Sequence, residues 1–179
     1  DAARRRLLLA AEQVLLEQVP WPTAQRLWLA RIGRIATSFA TAEARRMREG
    51  VPVVLEKTGS VQLRNPDFML TAKPDRIDLL HDGRVLIYDY KSGKPPSAPE
   101  MRAFDKQLLL EAAMVERGAF EVLGPRAVAA YSYIQLGGDG TETRYECDPD
   151  LIAETWTGLH RLVAAYLRAE TGFASRRSV

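Results

Sequence analysis

Two aspartates and a lysine in the middle of the chain are the residues whose types and spacing could do chemistry. Asp89 and Lys91 are two apart in a β-prone segment, so on a strand they share one face. Asp75 belongs to the preceding predicted strand, where it shares a face with Ile77 and Leu79. A carboxylate at the end of a buried face needs a cation nearby, because burying it alone costs several kcal/mol. Two such acids and a lysine could bind a hard divalent ion and hydrolyse a phosphodiester.

The turn between these two predicted strands decides whether the acids meet. A two-residue Asp-Gly turn would set Asp75 opposite Tyr90, and the two carboxylates would point to opposite faces. A three-residue loop with Gly83 in the left-handed conformation would set Asp75 beside Asp89. We favour this second register, because it also buries the aliphatic side chains of both strands together. The alternative for the charged residues is a cross-strand salt bridge between an aspartate and Lys91, with Asp75 as a bystander.

The segments around these residues predict a mixed α/β fold. Apolar residues at helical spacing predict helices over 3–18, 23–49 and 100–117, and a last helix that begins at Asp148. Alternating and β-branched runs predict strands over 51–56, 60–64, 68–80, 84–91, 127–136 and 141–146, with 60–64 as the hairpin partner or continuation of 51–56. This order of elements indicates an α/β (α+β mixed) architecture, in which helices flank a mixed sheet.

Several finer expectations accompany this fold. In the helix over 100–117, the residues predicted to face inward are Met101, Phe104, Leu108 and Val115. Residues 137–140 predict a turn, and residues 173–179 a frayed tail or a linker. We expect one compact domain, in which a helical part (1–50) packs on a core (51–179). Because the chain begins with Asp1 rather than Met, we expect it to be a fragment of a longer protein.

The composition is that of an ordinary globular domain. The chain has 179 residues, of which 46% are hydrophobic and 27% charged, and its net charge of +2 permits binding to nucleic acid. The sequence predicts neither a membrane span nor a signal peptide, so we expect a cytoplasmic protein with no membrane partner. The single cysteine, Cys147, excludes an internal disulfide framework and a cysteine-based zinc or iron–sulfur site within this chain.

Three segments together resemble the RecB-type nuclease domains of the PD-(D/E)xK superfamily. They are KPDRIDLL, VLIYDYKSG and a predicted helix with QLLLEAA. Those domains commonly read G-x-x-D-R-I-D, then D-Y-K-T/S-G, then a helix with Q-L. The resemblance covers residues 50–120 well and is nearest to AddB-type nuclease domains, which belong to bacterial helicase–nuclease complexes that process DNA double-strand breaks. It implies a restriction-endonuclease-like core, a Mg²⁺- or Mn²⁺-dependent exonuclease acting on DNA, and a helicase partner of AddA type.

The resemblance also implies roles for individual residues. The catalytic residues are Asp75, Asp89, Lys91, Glu56 and Gln107, and the metal ligands are Asp75, Asp89 and the backbone carbonyl of Tyr90. Glu56 resembles an acid on the first core strand, and Gln107 a glutamine that supports the lysine or the DNA backbone. The residues expected to contact DNA are Arg76, Lys94 and Arg102. Asp78 faces away from Asp75 in a strand, so we expect it to pair with Arg76 or Arg84 in a structural role.

Two features depart from the family pattern. RecB-type domains usually carry a metal-binding histidine on an upstream helix, whereas this chain has only His81, in the predicted turn, and His160, on the last helix. Many AddB-type domains also hold an iron–sulfur cluster with four cysteines, and with Cys147 alone we expect no cluster in this chain. The alternative function is therefore a catalytically inactive nuclease-fold module that binds DNA or a partner subunit of a helicase–nuclease complex.

Overall fold

The computed structural model describes residues 2–137 and 140–172. The helices are α1 (Ala2–Gln18), α2 (Pro22–Glu49), α3 (Ala98–Ala103), α4 (Gln107–Glu116) and α5 (Pro149–Tyr166). The strands are β1 (Gly50–Leu55), β2 (Gly59–Arg64), β3 (Asp67–Ala72), β4 (Arg76–Leu80), β5 (Val85–Lys91), β6 (Val128–Gln135) and β7 (Glu142–Glu146). The predicted turn at 137–140 lies partly, and the predicted tail at 173–179 wholly, outside the described residues. Within the described ranges, no helix is long and apolar enough to cross a membrane.

A five-stranded mixed sheet lies at the centre of the fold. Its strand order is β1-β4-β5-β6-β7, and all neighbouring strands are antiparallel except β5 and β6, which are parallel. A parallel pair needs a crossover connection, and here the segment with α3 and α4 supplies it. The predicted fold class, a mixed sheet flanked by helices, is confirmed.

The two faces of the sheet are covered by different helices. Ile77 and Ile87 lie on the face that packs against apolar residues of α4 and α5. Leu86 lies on the opposite face, where Phe39 of α2 packs against the same cluster. Because side chains alternate along a strand, Asp89 at the end of β5 shares the face of Ile87 and points towards α4.

The predicted strand over 68–80 is divided into two strands that belong to different sheets. β3 pairs with β2 in a separate two-stranded hairpin, whereas β4 pairs with β1 and β5 in the central sheet. The predicted hairpin between 51–56 and 60–64 therefore does not form. Pro74 lies in the gap between β3 and β4, and proline has no N–H with which to continue a ladder.

The predicted helix over 100–117 is also divided, into α3 and α4. Between them, Asp105 Oδ1 accepts a hydrogen bond from the N–H of Gln107 at 3.3 Å, which satisfies a free donor in the first turn of α4. Phe104 follows the last residue of α3 and is 87% exposed, so the prediction that it faces inward is wrong. The other three residues predicted to face inward in this segment are buried.

The turn between β4 and β5 has the predicted three-residue form. Gly83 has a φ of 84°, in the left-handed region that glycine tolerates best. The N–H of Leu80 donates to the carbonyl of Arg84 at 2.9 Å, and Ile77 pairs with Ile87. This confirms the register, which matters because a slip of one residue would move every side chain of the strand to the other face.

Candidate active site

The ends of β4 and β5 bring the two aspartates together. Asp75 lies one residue beyond the pair formed by Arg76 and Tyr88, so the register continues to Asp89. The Oδ2 of Asp75 accepts a hydrogen bond from the N–H of Tyr90 at 2.7 Å. Burial raises the pKa of Asp75 despite this hydrogen bond, and the negative charge of Asp89 raises it further. The two carboxylates are therefore close enough to repel one another.

Pro74 changes the backbone contacts beside these acids. Hydrogen-bonded pairs alternate along an antiparallel ladder, and Leu80 and Arg84 form one of them. If the alternation is continued along the two strands, Pro74 and Tyr90 are also in the position of a hydrogen-bonded pair. Pro74 has no N–H to donate to the Tyr90 carbonyl. The N–H and C=O of one residue point to the same side of a strand, so this carbonyl is directed to the side on which Asp75 binds the Tyr90 N–H.

Gln107, the first residue of α4, joins Asp89 to Lys91. Its Nε2 donates to Asp89 Oδ1 at 2.9 Å, and its Oε1 accepts a hydrogen bond from Lys91 Nζ at 3.2 Å. Lys91 Nζ also lies 2.9 Å from Asp89 Oδ2 in an ion pair without hydrogen-bond alignment, since this buried oxygen has no hydrogen-bond partner. The ammonium lies 5.7 Å from the centre of the Tyr133 ring. These contacts hold the lysine beside the acid of its own strand.

Glu111 is a third acid at the site and is not among the predicted site residues. It lies one turn after Gln107, whose Nε2 donates to its Oε1 at 3.3 Å. The residue is 4% exposed, and its Oε2 has no hydrogen-bond partner. Burial raises the pKa of Glu111 to about 7, and the charges of Asp89 and Asp75 act in the same direction. The sequence signal for it is an acid four residues after a glutamine, within an otherwise apolar helical segment.

Replacing Glu111 by glutamine should stabilise the metal-free protein at pH 8 but not at pH 4. The folded pKa of about 7 exceeds the ordinary value of 4.5, so the unfolded chain loses this proton first. The stability associated with the protonated acid is therefore complete below pH 4.5 and is lost as the pH rises towards 7. At pH 8 the variant should gain about 3 kcal/mol in free energy of unfolding, measured with urea in EDTA.

The matched control for that experiment is Glu121→Gln, because Glu121 is exposed. This variant should follow the wild-type dependence of stability on pH. A gain by Glu111→Gln that is equal at pH 4 and pH 8 would contradict the raised pKa, because a general improvement in packing does not depend on protonation.

The oxygen donors of the site suit a hard divalent cation. Asp75 and Asp89 present carboxylates, and the Tyr90 carbonyl is directed to the same side; Mg²⁺ prefers such ligands. Asp89 Oδ2 is buried, pairs with Lys91 and has no hydrogen-bond partner, and a divalent cation between the two acids would offset the repulsion that Asp89 exerts on Asp75. Within residues 2–137 and 140–172, no three His, Cys, Asp or Glu side chains are grouped closely enough to hold one ion. Water or substrate oxygens would therefore complete the shell.

Glu56 lies beside the acids, and its carboxylate forms an ion pair with a lysine. Its N–H donates to the carbonyl of Asp75 at 3.1 Å. The side chain is 62% exposed, and its Oε2 lies 2.6 Å from Lys73 Nζ. The negative charge of Glu56 is also among the causes that raise the pKa of Asp75, and the catalytic role of Glu56 stays a prediction.

Arg76 lies on the opposite face of the sheet, within a buried network of charges. Its Nε and Nη2 donate to the two carboxylate oxygens of Asp78 at 2.6 and 2.7 Å, and its Nη1 donates to Glu43 at 2.8 Å. The pairing expected for Asp78 is therefore confirmed. The Arg76 side chain is only 6% exposed, so the geometry argues against the DNA contact predicted for it and in favour of a structural role.

The two other residues predicted to contact DNA are exposed. Lys94 lies in the loop after β5 and lines, with Lys91, an open cleft of about 530 Å³. Arg102 lies in the last turn of α3. Both side chains are accessible to a nucleic acid, and their contact with DNA stays a prediction.

The two histidines bind backbone carbonyls away from the acids. His81 Nε2 lies 3.1 Å from the carbonyl oxygen of Arg48, and His160 Nδ1 lies 3.2 Å from that of Asn65. His160 also packs edge-on against Trp156, with ring centres 5.3 Å apart. Neither side chain is placed to bind an ion held by Asp75, as the sequence predicts.

Comparison with protein-family models gives a match. A sequence model described as the PD-(D/E)XK nuclease superfamily matches residues 1–176, a range that includes every residue of the site. The five-stranded mixed sheet and its flanking helices are consistent with the restriction-endonuclease-like fold of that superfamily. No curated protein matches the sequence.

Proposed function

Because the chain belongs to the PD-(D/E)XK nuclease superfamily, we propose that it is a metal-dependent deoxyribonuclease. The observation that carries this proposal is the cluster at the ends of β4 and β5. There, Asp75 lies beside Asp89, and Lys91 and Gln107 both contact Asp89. Paired acids for a cation and a fixed ammonium group are the components that phosphodiester hydrolysis requires.

Asp75, Asp89 and the Tyr90 carbonyl would hold Mg²⁺ or Mn²⁺. When bound, such an ion supplies positive charge at the scissile phosphate and lowers the pKa of water at the site. Lys91, held in place by Gln107, would donate to the attacking water or to a phosphate oxygen as negative charge develops on it. Its position beside Asp89 supports a site in which the ammonium and the metal ligands would act on the same phosphate.

DNA is the proposed substrate, and Lys94 and Arg102 would contact its phosphates. The sequence segments that resemble AddB-type domains support a narrower role, as the exonuclease of a helicase–nuclease complex that repairs double-strand breaks by recombination. In that role a helicase of AddA type would feed DNA to the site. Exposed basic residues next to the cluster are consistent with a DNA backbone passing there.

The second candidate is a nuclease-fold module that binds DNA or a partner subunit without cleaving DNA. The observation that favours it is the position of the histidines: His81 and His160 bind backbone carbonyls elsewhere. A site that normally uses a histidine as a further protein ligand would hold an ion less tightly with two acids and a carbonyl alone.

Metal removal tests the proposal directly. Linear single-stranded and double-stranded DNA should be cleaved in the presence of Mg²⁺ or Mn²⁺, and EDTA should abolish that cleavage. The products are measured on denaturing gels, and DNA binding is measured in parallel by mobility shift. Binding without cleavage at any metal concentration would favour the inactive module, and cleavage that persists in EDTA would contradict a metal-dependent mechanism.

A further inference from the structure

Phe104 presents an exposed aromatic ring on a fixed piece of backbone. The residue lies between α3 and α4 and is 87% exposed. The N–H groups of Phe104 and Asp105 both donate to the carbonyl of Glu100, at 2.8 and 3.0 Å. A single exposed apolar residue needs no explanation by itself. The residues around this ring indicate a function for it.

The ring lines the same cleft as the proposed catalytic lysine. Phe104, Lys91 and Lys94 contribute to the walls of the open cleft of about 530 Å³. The segment 91–106 carries four basic and two acidic side chains, a net charge of +2. Both acids already accept a hydrogen bond from a backbone N–H group, one from a residue of this segment and the other from the residue that follows it. The wall of the cleft itself holds two lysines and two acids, so the excess positive charge belongs to basic residues of the segment outside that wall. The cleft combines an aromatic face with lysine side chains, next to the proposed site of phosphate cleavage.

We propose that Phe104 is a stacking platform for an unpaired base next to the scissile phosphate, and that the site prefers single-stranded DNA. The inference rests on the proposed function, because Lys91 marks the position of the phosphate. Every base has a flat face that can stack on an aromatic ring, so the contact does not depend on sequence. A base inside a duplex is already stacked on both sides, whereas a base in a single strand or a frayed end is free to bind the ring.

The surroundings of Phe104 favour a base over a protein partner. Aromatic residues that anchor protein interfaces lie in the centre of a patch from which water is excluded. The cleft around Phe104 is instead lined by lysines, prolines and acids, and its neighbour Arg102 is also exposed. Aromatic rings interleaved with basic side chains are the composition of single-strand binding grooves.

Binding of a fluorescein-labelled oligonucleotide tests the proposal without requiring catalysis. Fluorescence anisotropy in EDTA would compare wild type with Phe104→Ala, Phe104→Leu and Phe104→Trp, on a single strand and on the matching duplex. Phe104→Ala and Phe104→Leu should weaken single-strand binding by about tenfold or more, and Phe104→Trp should retain it. Duplex binding should be the same in all four proteins.

Trp21→Ala is the matched control, because Trp21 is an aromatic residue that is 69% exposed before α2. It should bind both oligonucleotides as wild type does. If wild type and Phe104→Ala bind the single strand with equal affinity, the proposal is wrong. A contact with a protein partner would then be the better explanation for the exposed ring. Retained binding by Phe104→Leu would also overturn it, because a leucine offers apolar area but no ring. Since cleavage is not measured, these outcomes stay separate from a failure of the proposed nuclease activity.

Discussion

Replacing Lys91 by methionine should lower the rate of DNA cleavage by about 10²–10³-fold while leaving metal binding intact. Methionine keeps the length of the stem but removes the positive charge that would stabilise the phosphate as it reacts. The Lys91 ammonium pairs with Asp89 and hydrogen-bonds Gln107, so it is already positioned for this role. Its removal also leaves Asp89 free of a competing cation, and the affinity for Mn²⁺ should not fall. Single-turnover cleavage and calorimetric titration with Mn²⁺ measure the two effects separately.

Two variants make that experiment specific. Lys94→Met removes a charge from the same cleft without touching Asp89, so it should weaken DNA binding and change the single-turnover rate little. Asp89→Asn removes a proposed metal ligand and should lose both Mn²⁺ binding and cleavage. If Lys91→Met cleaves DNA at the wild-type rate, the proposed role of the lysine is wrong.

Replacing Arg76 by methionine should destabilise the protein by about 3–5 kcal/mol. The substitution would leave Asp78 buried with a negative charge and no opposite charge beside it, since Arg76 binds both of its carboxylate oxygens. Glu43 would lose one of its two arginine partners, Arg46 being the other. Urea unfolding at neutral pH in EDTA measures the change without interference from metal binding.

The control for this prediction is Arg84→Met, because Arg84 pairs with Asp82 at the exposed turn. That variant should unfold as wild type does, since exposed ion pairs contribute little to stability. A double variant, Arg76→Met with Asp78→Leu, should regain much of the lost stability, because it leaves no unpaired charge in that position. If Arg76→Met is as stable as wild type but binds DNA weakly, the DNA contact predicted from the sequence is correct and the structural role is wrong.

The position of Asp75 relative to Asp89 could be predicted because several local preferences agree. Gly83 fits the left-handed position of a three-residue loop, and that loop also pairs the aliphatic residues of both strands. Slipping the register by one residue would pair Ile77 with Tyr88 and Ile87 with the charged Asp78, so the aliphatic side chains of the two strands would no longer pack together. The energy difference between the two registers is therefore large, and a pattern of residues is enough to choose between them.

Phe104 and Glu111 could not be placed in this way. Helical spacing predicts one helix through Phe104, but the bond between the Asp105 side chain and the N–H of Gln107 starts a new helix. A side-chain contact of this kind contributes about as much free energy as one helical hydrogen bond. The local sequence therefore does not distinguish one continuous helix from two shorter helices. Glu111 acquires its raised pKa from burial, and its position in an otherwise apolar helical segment does not show how deeply the carboxyl group is buried or which acids lie near it.

Pro74 contributes no side-chain atom to the proposed metal site, yet it influences which backbone atoms are available there. A residue with an N–H at this position could extend the ladder by one hydrogen bond to Tyr90 and add on the order of 1 kcal/mol to stability. With proline the chain forgoes that bond, so residue 74 offers no donor to the carbonyl of Tyr90, while the N–H of Tyr90 binds Asp75. In the proposed metal site, the hydrogen bond that proline forgoes leaves this carbonyl available as a ligand. Redesign that restored the ladder for thermal stability would act against metal binding.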